Sequence, residues 1–273
     1  MLSESYWRRF SGIARLYGRD VMSHFSQAHV MVIGLGGVGT WAAEALARSG
    51  IGYLSLVDLD DICVSNSNRQ LHTLASTIGQ SKTQVMADRL RDINPELEVR
   101  CVEDFISTDN IPEIVTEQID VVVDAIDSVI SKAALIAWCK RRKIKIIVCG
   151  GAGGQIDPLA VNVKDLAKVQ GDPLLAKVRH ELRRNYGFSR NPKRKFSIEA
   201  VFSTEQLIYP WADGRVCRSR PPENGPQKLD CSDGFGAASF VTGTFGFVAA
   251  ARALHYLANR AQPSSAKTAD STD

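Results

Sequence analysis

The stretch His29-Val30-Met31-Val32-Ile33-Gly34-Leu35-Gly36-Gly37-Val38-Gly39 decides the fold. An apolar, β-branched run ends in a glycine turn, and the Ala-rich segment Val38 to Ser49 that follows reads as a helix. Strand, glycine turn and helix in that order open a nucleotide-binding βαβ unit. Glycines let the backbone turn tightly and approach a phosphate, which then sits on the helix N-terminus. A second strand, Tyr53 to Val57, ends at Asp58, about 20 residues on, where an acid can hold ribose hydroxyls. The plain structural alternative is a glycine-rich packing turn, with Asp58 as a helix cap. The turn alone does not separate ATP from NAD or FAD.

Working outward, Lys82 to Ile93 is an amphipathic helix stopped by Asn94-Pro95, and Glu98 to Val102 is a third strand. Val121 to Val123 is a fourth strand, Ser131 to Arg142 a helix and Lys145 to Cys149 a fifth strand. Near-continuous apolar strands alternating with helices predict an α/β fold: a Rossmann-like open, mostly parallel sheet with helices on both faces. After the glycine run 150–154 the pattern changes. Residues 155–217 mix short strands, which extend the sheet in the second half, with a charged helix near Leu174 to Tyr186. An apolar helix follows near 235–258. Residues 1–28 read as a helical lead-in anchored by Trp7, Phe10, Leu16 and Phe25. The expected organisation is one adenylating domain over 1–262, its nucleotide-binding half about 28–150 and its substrate half about 151–262. A flexible Ser/Thr/Ala/Asp-rich tail is expected over 263–273. There is no internal repeat.

Composition narrows the class. The chain has 273 residues, 44% hydrophobic and 23% charged, as a soluble protein with a sizeable core has. A net charge of +3 is too mild to argue for nucleic acid by itself. Cys63, Cys101, Cys139, Cys149, Cys217 and Cys231 form no C-x-x-C pair, which argues against a zinc knuckle or thioredoxin-type site. A reducing, cytoplasmic setting with mostly buried thiols fits this usage. Met1 to Arg19 is polar and does not read as a signal peptide. Gly234 to Ala251 falls short of the roughly 20 apolar residues a membrane span needs and contains Ser239, Thr242, Gly243, Thr244 and Gly246. It is expected to be a buried core helix, so no membrane span is expected.

Charged residues around the first two strands move the reading toward ATP. Arg69 offers a rigid fork for phosphate oxygens, and Lys82, after Gly79-Gln80-Ser81, a mobile point charge. A triphosphate carries more charge than a dinucleotide's diphosphate. The alternative makes Lys82 a solvated first-turn residue, a position that disfavours a cation unless an anion is close. Asp124-Ala125-Ile126-Asp127 ends the fourth strand, on the side where open α/β sheets bind ligands. Asp127 could hold a magnesium ion bridging phosphates. Asp124 could equally cap the following helix.

The motifs GLGGVG (34–39), LVDLDD (56–61), SNSNRQ (65–70), GQSK (79–82) and DAIDS (124–128), in this order and spacing, resemble the ubiquitin-activating-like, or ThiF/MoeB/HesA, superfamily. Its members include the molybdopterin-synthase and thiamine-sulfur-carrier adenylyltransferases. The resemblance implies adenylation of a carboxylate by ATP with release of pyrophosphate. It implies nucleotide binding by Gly34, Gly36, Gly37, Gly39, Asp58 and Asp60, with Asp58 on the ribose. Asn66, Arg69, Gln70 and Lys82 would join them toward the phosphates. Asp127 would act with Mg2+, a monovalent cation being a further candidate, and Arg69, Lys82 and Asp127 would be the catalytic set.

The second half resembles one branch. GGAGGQIDP (150–158), VFSTE (201–205) and CSDGFG (231–236) are similar to the tRNA threonylcarbamoyladenosine dehydratases. That resemblance implies ATP-dependent activation of the threonylcarbamoyl carboxylate on adenosine 37 of tRNA, then cyclisation. A free carboxylate is a poor electrophile, and adenylation supplies a leaving group. The substrate's own carbamoyl nitrogen or oxygen could attack, so no protein nucleophile is required. Cys231 is a candidate for a covalent thioester, or a non-catalytic loop thiol. Lys177, Arg179, Arg183, Arg184, Arg190, Lys193, Arg194 and Lys195, with Tyr186 and Phe188 among them, fit a tRNA phosphate surface, with Arg183, Arg184, Lys193, Arg194 and Lys195 as contacts. A solvated helix face with a mobile loop is the alternative.

In the carrier-activating members an N-terminal arginine reaches the partner subunit's ATP. That position falls near Gly12 here, with Arg15 or Arg9 as substitutes, and a homodimer is expected. A cysteine desulfurase or sulfur-acceptor system is a further partner implied by resemblance. Two rivals stand: an adenylyltransferase for the C-terminus of a small sulfur-carrier protein, against which the missing C-x-x-C pairs speak, and an NAD-binding oxidoreductase or nucleotide-sensing module.

Overall fold

A computed structural model describes residues 2–211, 213–219 and 235–261. Its strands are β1 (His29–Ile33), β2 (Tyr53–Val57), β3 (Glu98–Val102), β4 (Val121–Asp124), β5 (Lys145–Cys149), β6 (Val161–Asp165) and β7 (Glu199–Ser203). A short ribbon pairs β8 (Tyr209–Pro210) with β9 (Val216–Cys217). The helices are α1 (Glu4–Tyr17), α2 (Arg19–Phe25), α3 (Gly39–Arg48), α4 (Lys82–Ile93), α5 (Ile111–Ile114), α6 (Val129–Arg142), α7 (Pro173–Asn185) and α8 (Ser239–Ala261).

The main sheet has seven strands in the order β3-β2-β1-β4-β5-β7-β6. Every neighbouring pair is parallel except β6 with β7. The fold is therefore the Rossmann-like α/β arrangement expected, with β7 and β6 of the second half extending the same sheet. The chain winds outward from β1 through β2 to β3, then returns to place β4 on the other side of β1. That reversal opens a crevice at the carboxyl ends of β1 and β4, the switch point where open α/β sheets take ligands.

The strands read as continuous apolar runs because both faces are covered. Val30 and Val32 of β1, with Val121 and Val123 of β4, enter the core built with α1, α2, α3, α4 and α8. Met31 and Ile33, with Val122, enter the opposite core under α5, α6 and α7. The period of two along each strand thus distributes one sequence between two cores.

Helix α8 is a core helix, as its interrupted apolar run predicts. Among the described residues no helix is long and apolar enough to cross a membrane. It crosses α3 at backbone contact: a β-carbon on Gly246 would lie 2.6 Å from the Val38 carbonyl oxygen and 2.8 Å from Trp41 Cβ.

Three expectations change. Leu16 is not an anchor, since it is 78% exposed, and Tyr6, Phe10, Val21, Met22 and Phe25 are the buried set. The kink at Phe10 (φ −107°, ψ 15°) and the break at Gly18 (φ 86°) shift the helical phase, which turns Leu16 outward. Among the described residues the thiols are not mostly buried: Cys139 and Cys149 are, Cys101 and Cys217 are half-buried, and Cys63 is exposed. Strand β4 also takes in Asp124, which is fully buried.

The Gly246 contact sets an expected outcome. Gly246→Ala should destabilise the protein by about 1–3 kcal/mol through overpacking. At Gly243 the nearest atoms to a new β-carbon are 3.7 Å away, ordinary contact. Gly243→Ala should therefore gain roughly 0.5–1 kcal/mol of helix propensity. Denaturant melts of both variants check this; equal shifts would contradict it.

Candidate active site

The glycine turn is built by close approach. A β-carbon on Gly39 would sit 1.8 Å from the Gly34 carbonyl oxygen, so only glycine closes the turn. Gly34 has φ +88°, and its Cα faces the Ala125 carbonyl at the end of β4, where a β-carbon would lie 2.9 Å away. Gly37 lies against Arg69 Cγ and Thr242, each 3.2 Å from a notional β-carbon. Gly36 alone of the four meets nothing within 4 Å and opens onto the crevice. No side chain caps the start of α3; Thr40 N bonds to Gly36 O at 3.3 Å, and the uncapped terminus is of the kind that takes phosphate.

Asp58 ties this turn to the second strand. Its Oδ2 accepts from Leu35 N at 2.6 Å and its Oδ1 from Asp60 N at 2.9 Å. Lys82 Nζ stands 2.7 Å from Asp60 Oδ2 and 3.6 Å from Asp58 Oδ1. Lys82 is the first residue of α4 and is buried, not a solvated first-turn side chain. The anion that a cation needs at a helix N-terminus is supplied by Asp60 and Asp58.

The 64–73 segment covers the other side of the turn. Asn66 is buried, and its Oδ1 accepts from Cys63 N at 3.1 Å, capping the 3-10 turn Val64–Asn66. Arg69 donates to Ser65 O and to Asn68 Oδ1, both at 2.9 Å, and its own carbonyl receives Trp41 Nε1 at 3.1 Å. These contacts hold its stem beside Gly37. Gln70, His72 and Thr73 are buried, yet Gln70 Oε1 and Thr73 Oγ1 lack partners, and the His72 ring has no well-formed hydrogen bond beyond an approach to the Leu35 backbone. Buried polar atoms are normally paired, so this row of orphans beside the glycine turn and Lys82 fits a site that receives polar ligand atoms or ordered water. Sequence reading did not single out His72. Its signal was only its nearness to the Asn-Arg-Gln motif, and burial decided the rest. Burial first, then the charge of Lys82, pushes its imidazole down to about 4.

Asp127 is exposed on the loop after β4, at the crevice mouth. Asp124 does not cap α6. It pairs inside the protein with Lys132, whose Nζ lies 2.9 Å from Oδ1. Ser128 takes the N-cap position instead. Among the described residues no group of three or more His, Cys, Asp or Glu side chains is placed to hold a metal. Magnesium commonly binds through one or two carboxylates plus substrate phosphates, which a lone Asp127 at the crevice would suit.

The described parts of the second-half motifs, 150–158, 201–205 and Phe235-Gly236, meet at the same crevice edge. Gly154 N donates to Gly236 O at 2.7 Å, and Ile208 N to Gly154 O at 2.8 Å. Phe235 stacks over the 153–154 turn, where a β-carbon on Gly154 would meet its ring at 2.7 Å. Glu205 Oε2 accepts from Ile156 N and Asp157 N, both at 2.9 Å. Asn68 Nδ2 donates to Ala237 O at 2.8 Å, linking this edge to the Arg69 segment. Cys231 and the tail 263–273 lie outside the described residues.

Within the basic segment, Arg184, Lys193, Arg194 and Lys195 are exposed. Arg183 is engaged: its Nε donates to Ser189 O at 3.3 Å and its guanidinium lies over Phe196 at 5.5 Å. It shapes the loop that carries the other cations. At the N-terminus, Arg9 donates to Ile93 O at 3.3 Å, whereas Arg15 is exposed on the last turn of α1.

Residues 10–273 match the ThiF family. The chain belongs to the ThiF family. Among its relatives, this ThiF-family chain is 52% identical over 254 residues to the tRNA threonylcarbamoyladenosine dehydratase of Escherichia coli, covering 93% of this chain and 95% of the relative. The Haemophilus influenzae protein of the same name matches at the same identity and coverage. A crystal structure of the Escherichia coli tRNA N6-threonylcarbamoyladenosine dehydratase in complex with ATP superposes with a TM-score of 0.86 at 46% identity, covering 98% of this chain and 99% of that one.

Two outcomes follow from the site. Gly36→Ala should fold normally and weaken ATP binding, whereas Gly39→Ala should lose stability outright; thermal melts and ATP titration of each variant separate the two effects. His72 sets a pH dependence. Its pKa is about 4 folded against 6.5 in the unfolded chain. Between those values the unfolded chain binds the extra proton, so this stability contribution is present above about pH 6.5 and is lost as pH falls toward 4. It amounts to roughly 3 kcal/mol. Denaturant titrations of wild type and His72→Gln at several pH values check this, with the variant expected to show the flatter acid limb.

Proposed function

We propose that this chain catalyses the ATP-dependent dehydration of N6-threonylcarbamoyladenosine at adenosine 37 of tRNA to its cyclic form. The observation that carries the reading is full-length likeness to dehydratases of that name, extending through the second half, whose motifs meet at the crevice edge. A sulfur-carrier adenylyltransferase is disfavoured by the same full-length match and by the absent C-x-x-C pairs.

ATP would enter the crevice between β1 and β4, its phosphates toward Gly36 and the uncapped start of α3. Asp58 retains acceptor capacity for ribose hydroxyls beyond its two backbone bonds. Asn66 keeps its amide nitrogen, and Arg69 and Lys82 supply the cationic charge. Lys82 is already paired with Asp60, so a triphosphate would share that cation with the carboxylate. Asp127, with Mg2+, would neutralise charge on the phosphates.

In the first step a carboxylate oxygen of the threonylcarbamoyl group attacks the α-phosphorus and pyrophosphate leaves. In the second, the carbamoyl nitrogen or oxygen attacks the acyl carbon and AMP leaves with the original carboxylate oxygen. One proton is released, and the base is lighter by one water. Positioning and charge neutralisation suffice for both displacements. Arg184, Lys193, Arg194 and Lys195 would contact tRNA phosphates. A cytoplasmic homodimer with Arg15 reaching the partner's nucleotide, and a sulfur-transfer partner, belong to the same reading.

The test is direct. The protein is incubated with ATP, Mg2+ and tRNA bearing threonylcarbamoyladenosine, and the nucleoside is weighed by mass spectrometry. Loss of one water supports the proposal, and an unchanged mass removes it. Lys82→Ala should weaken ATP binding by about 10-fold or more; an unchanged affinity would remove Lys82 from the phosphate site.

A further inference from the structure

Behind the glycine turn lies a buried charge cluster that the nucleotide reading does not use. Lys132, in the first turns of α6, and Asp124, at the end of β4, are both fully buried. Lys132 Nζ donates to Asp124 Oδ1 at 2.9 Å, to Asp124 O at 3.3 Å and to Ile126 O at 2.8 Å. Ile126 N donates back to Asp124 Oδ1 at 3.1 Å. All of these bonds close on residues 124–126, and the next residue is Asp127.

An ammonium buried near a helix N-terminus is costly on two counts: it loses hydration, and it opposes the helix dipole. A methionine or leucine would fill the same volume without either cost, and such replacements of buried ion pairs are often stabilising. A purely packing role does not account for a lysine here. What the ammonium does that a methyl cannot is hold two loop carbonyls and a carboxylate at once. This segment also abuts the glycine turn, since Ala125 O is the atom that excludes a β-carbon from Gly34. Ala125 N is bonded to Ile33 O at 2.9 Å.

A second acid extends the arrangement to the next strand. Asp172, at the N-cap of α7, is buried and accepts from Gly151 N at 3.0 Å and Leu175 N at 2.8 Å. Gly150 must be glycine there, because a β-carbon would lie 1.9 Å from Asp172 Oδ2. Burial raises the Asp172 pKa, opposed first by the backbone bonds from Leu175 and Gly151 and then by the charge of Lys132. Asp124 and Asp172 thus each tie down the loop at the end of a neighbouring strand, β4 or β5.

We propose that Lys132 is a positioning residue for adenylation, fixing the loop that carries Asp127 relative to the glycine turn. The proposal rests on the reading of Asp127 as a group that acts on ATP. Lys132 touches neither substrate nor nucleotide and works through the backbone of residues 124–126.

The experiment is a mutant cycle between Lys132 and Asp127, with turnover of ATP and threonylcarbamoyladenosine-bearing tRNA as one readout and equilibrium ATP binding as the other. Lys132→Met alone strands the Asp124 charge and risks unfolding. Asp124→Asn with Lys132→Met removes both charges and keeps the Ile126 N acceptor; a cooperative thermal melt establishes that it folds. In that folded background kcat should fall by about 100-fold, the scale of an ångström-level misplacement, while ATP affinity moves by less than about threefold. When Asp127→Ala is added, the neutral pair should cost nothing further, because the loop then has nothing to position. A folded neutral pair with near wild-type kcat overturns the proposal. So does a loss that multiplies with that of Asp127→Ala, which would mark an independent structural effect. Full activity of Asp127→Ala by itself would sink the underlying reading of Asp127, and the positioning role with it.

Discussion

Between Gly34 and Gly39 the backbone closes on itself so tightly that no side chain fits at Gly39 against the Gly34 carbonyl. The rest of the site is arranged around that contact. Leu35 N, exposed by the turn, is taken by Asp58, which locks the end of β2 to the end of β1. The Gly34 Cα leaves room for the Ala125 carbonyl, which brings in the end of β4. On the far side, α8 approaches α3 closely enough for Gly246 to touch Val38 and Trp41. A steric constraint between two residues thus sets the distance between three strand ends and two helices, and the crevice is what remains between them.

Electrostatics then repeats one device. Lys82 and Lys132 each stand at the start of a helix, where the dipole opposes a cation. Each is compensated by carboxylates from the end of a strand: Asp60 and Asp58 for Lys82, Asp124 for Lys132. The difference is in access. Asp60 is about half exposed, so the Lys82 pair can exchange partners with an incoming anion. The Lys132 pair is sealed and speaks only to the backbone. In the proposed reading one lysine would meet phosphate and the other would hold a loop still.

The second half of the chain completes this crevice by adding to the same sheet. Strand β7 joins β5 in parallel, and the turns at 153–157 are held by Glu205 and covered by Phe235. Asn68 reaches Ala237 from the Arg69 segment. The segment that would handle the nucleotide is therefore joined by a direct hydrogen bond to the residue that follows a motif of the dehydratase-like sequences.

The sequence by itself determined the strands, the glycine turn and the edge of the sheet at which the crevice opens. Apolar period and the steric needs of glycine are local properties, legible wherever they occur. Arg69, Lys82 and Asp127 could be singled out because each lies in or beside a polar motif that follows a strand of the βαβ pattern. What only the tertiary structure decided was which polar groups face each other. Nothing local says that Leu16 is turned out by a kink at Phe10, that Arg183 is spent on Phe196 and Ser189, or that His72 is buried without a well-formed partner. Nor does spacing distinguish Gly36, open to the crevice, from Gly39, closed against a carbonyl. The pairing of Asp124 with Lys132 replaced an expected helix cap because burial of both side chains depends on α6 lying over β4. Burial and partnership belong to the packing of elements, and the sequence of any single element does not contain them.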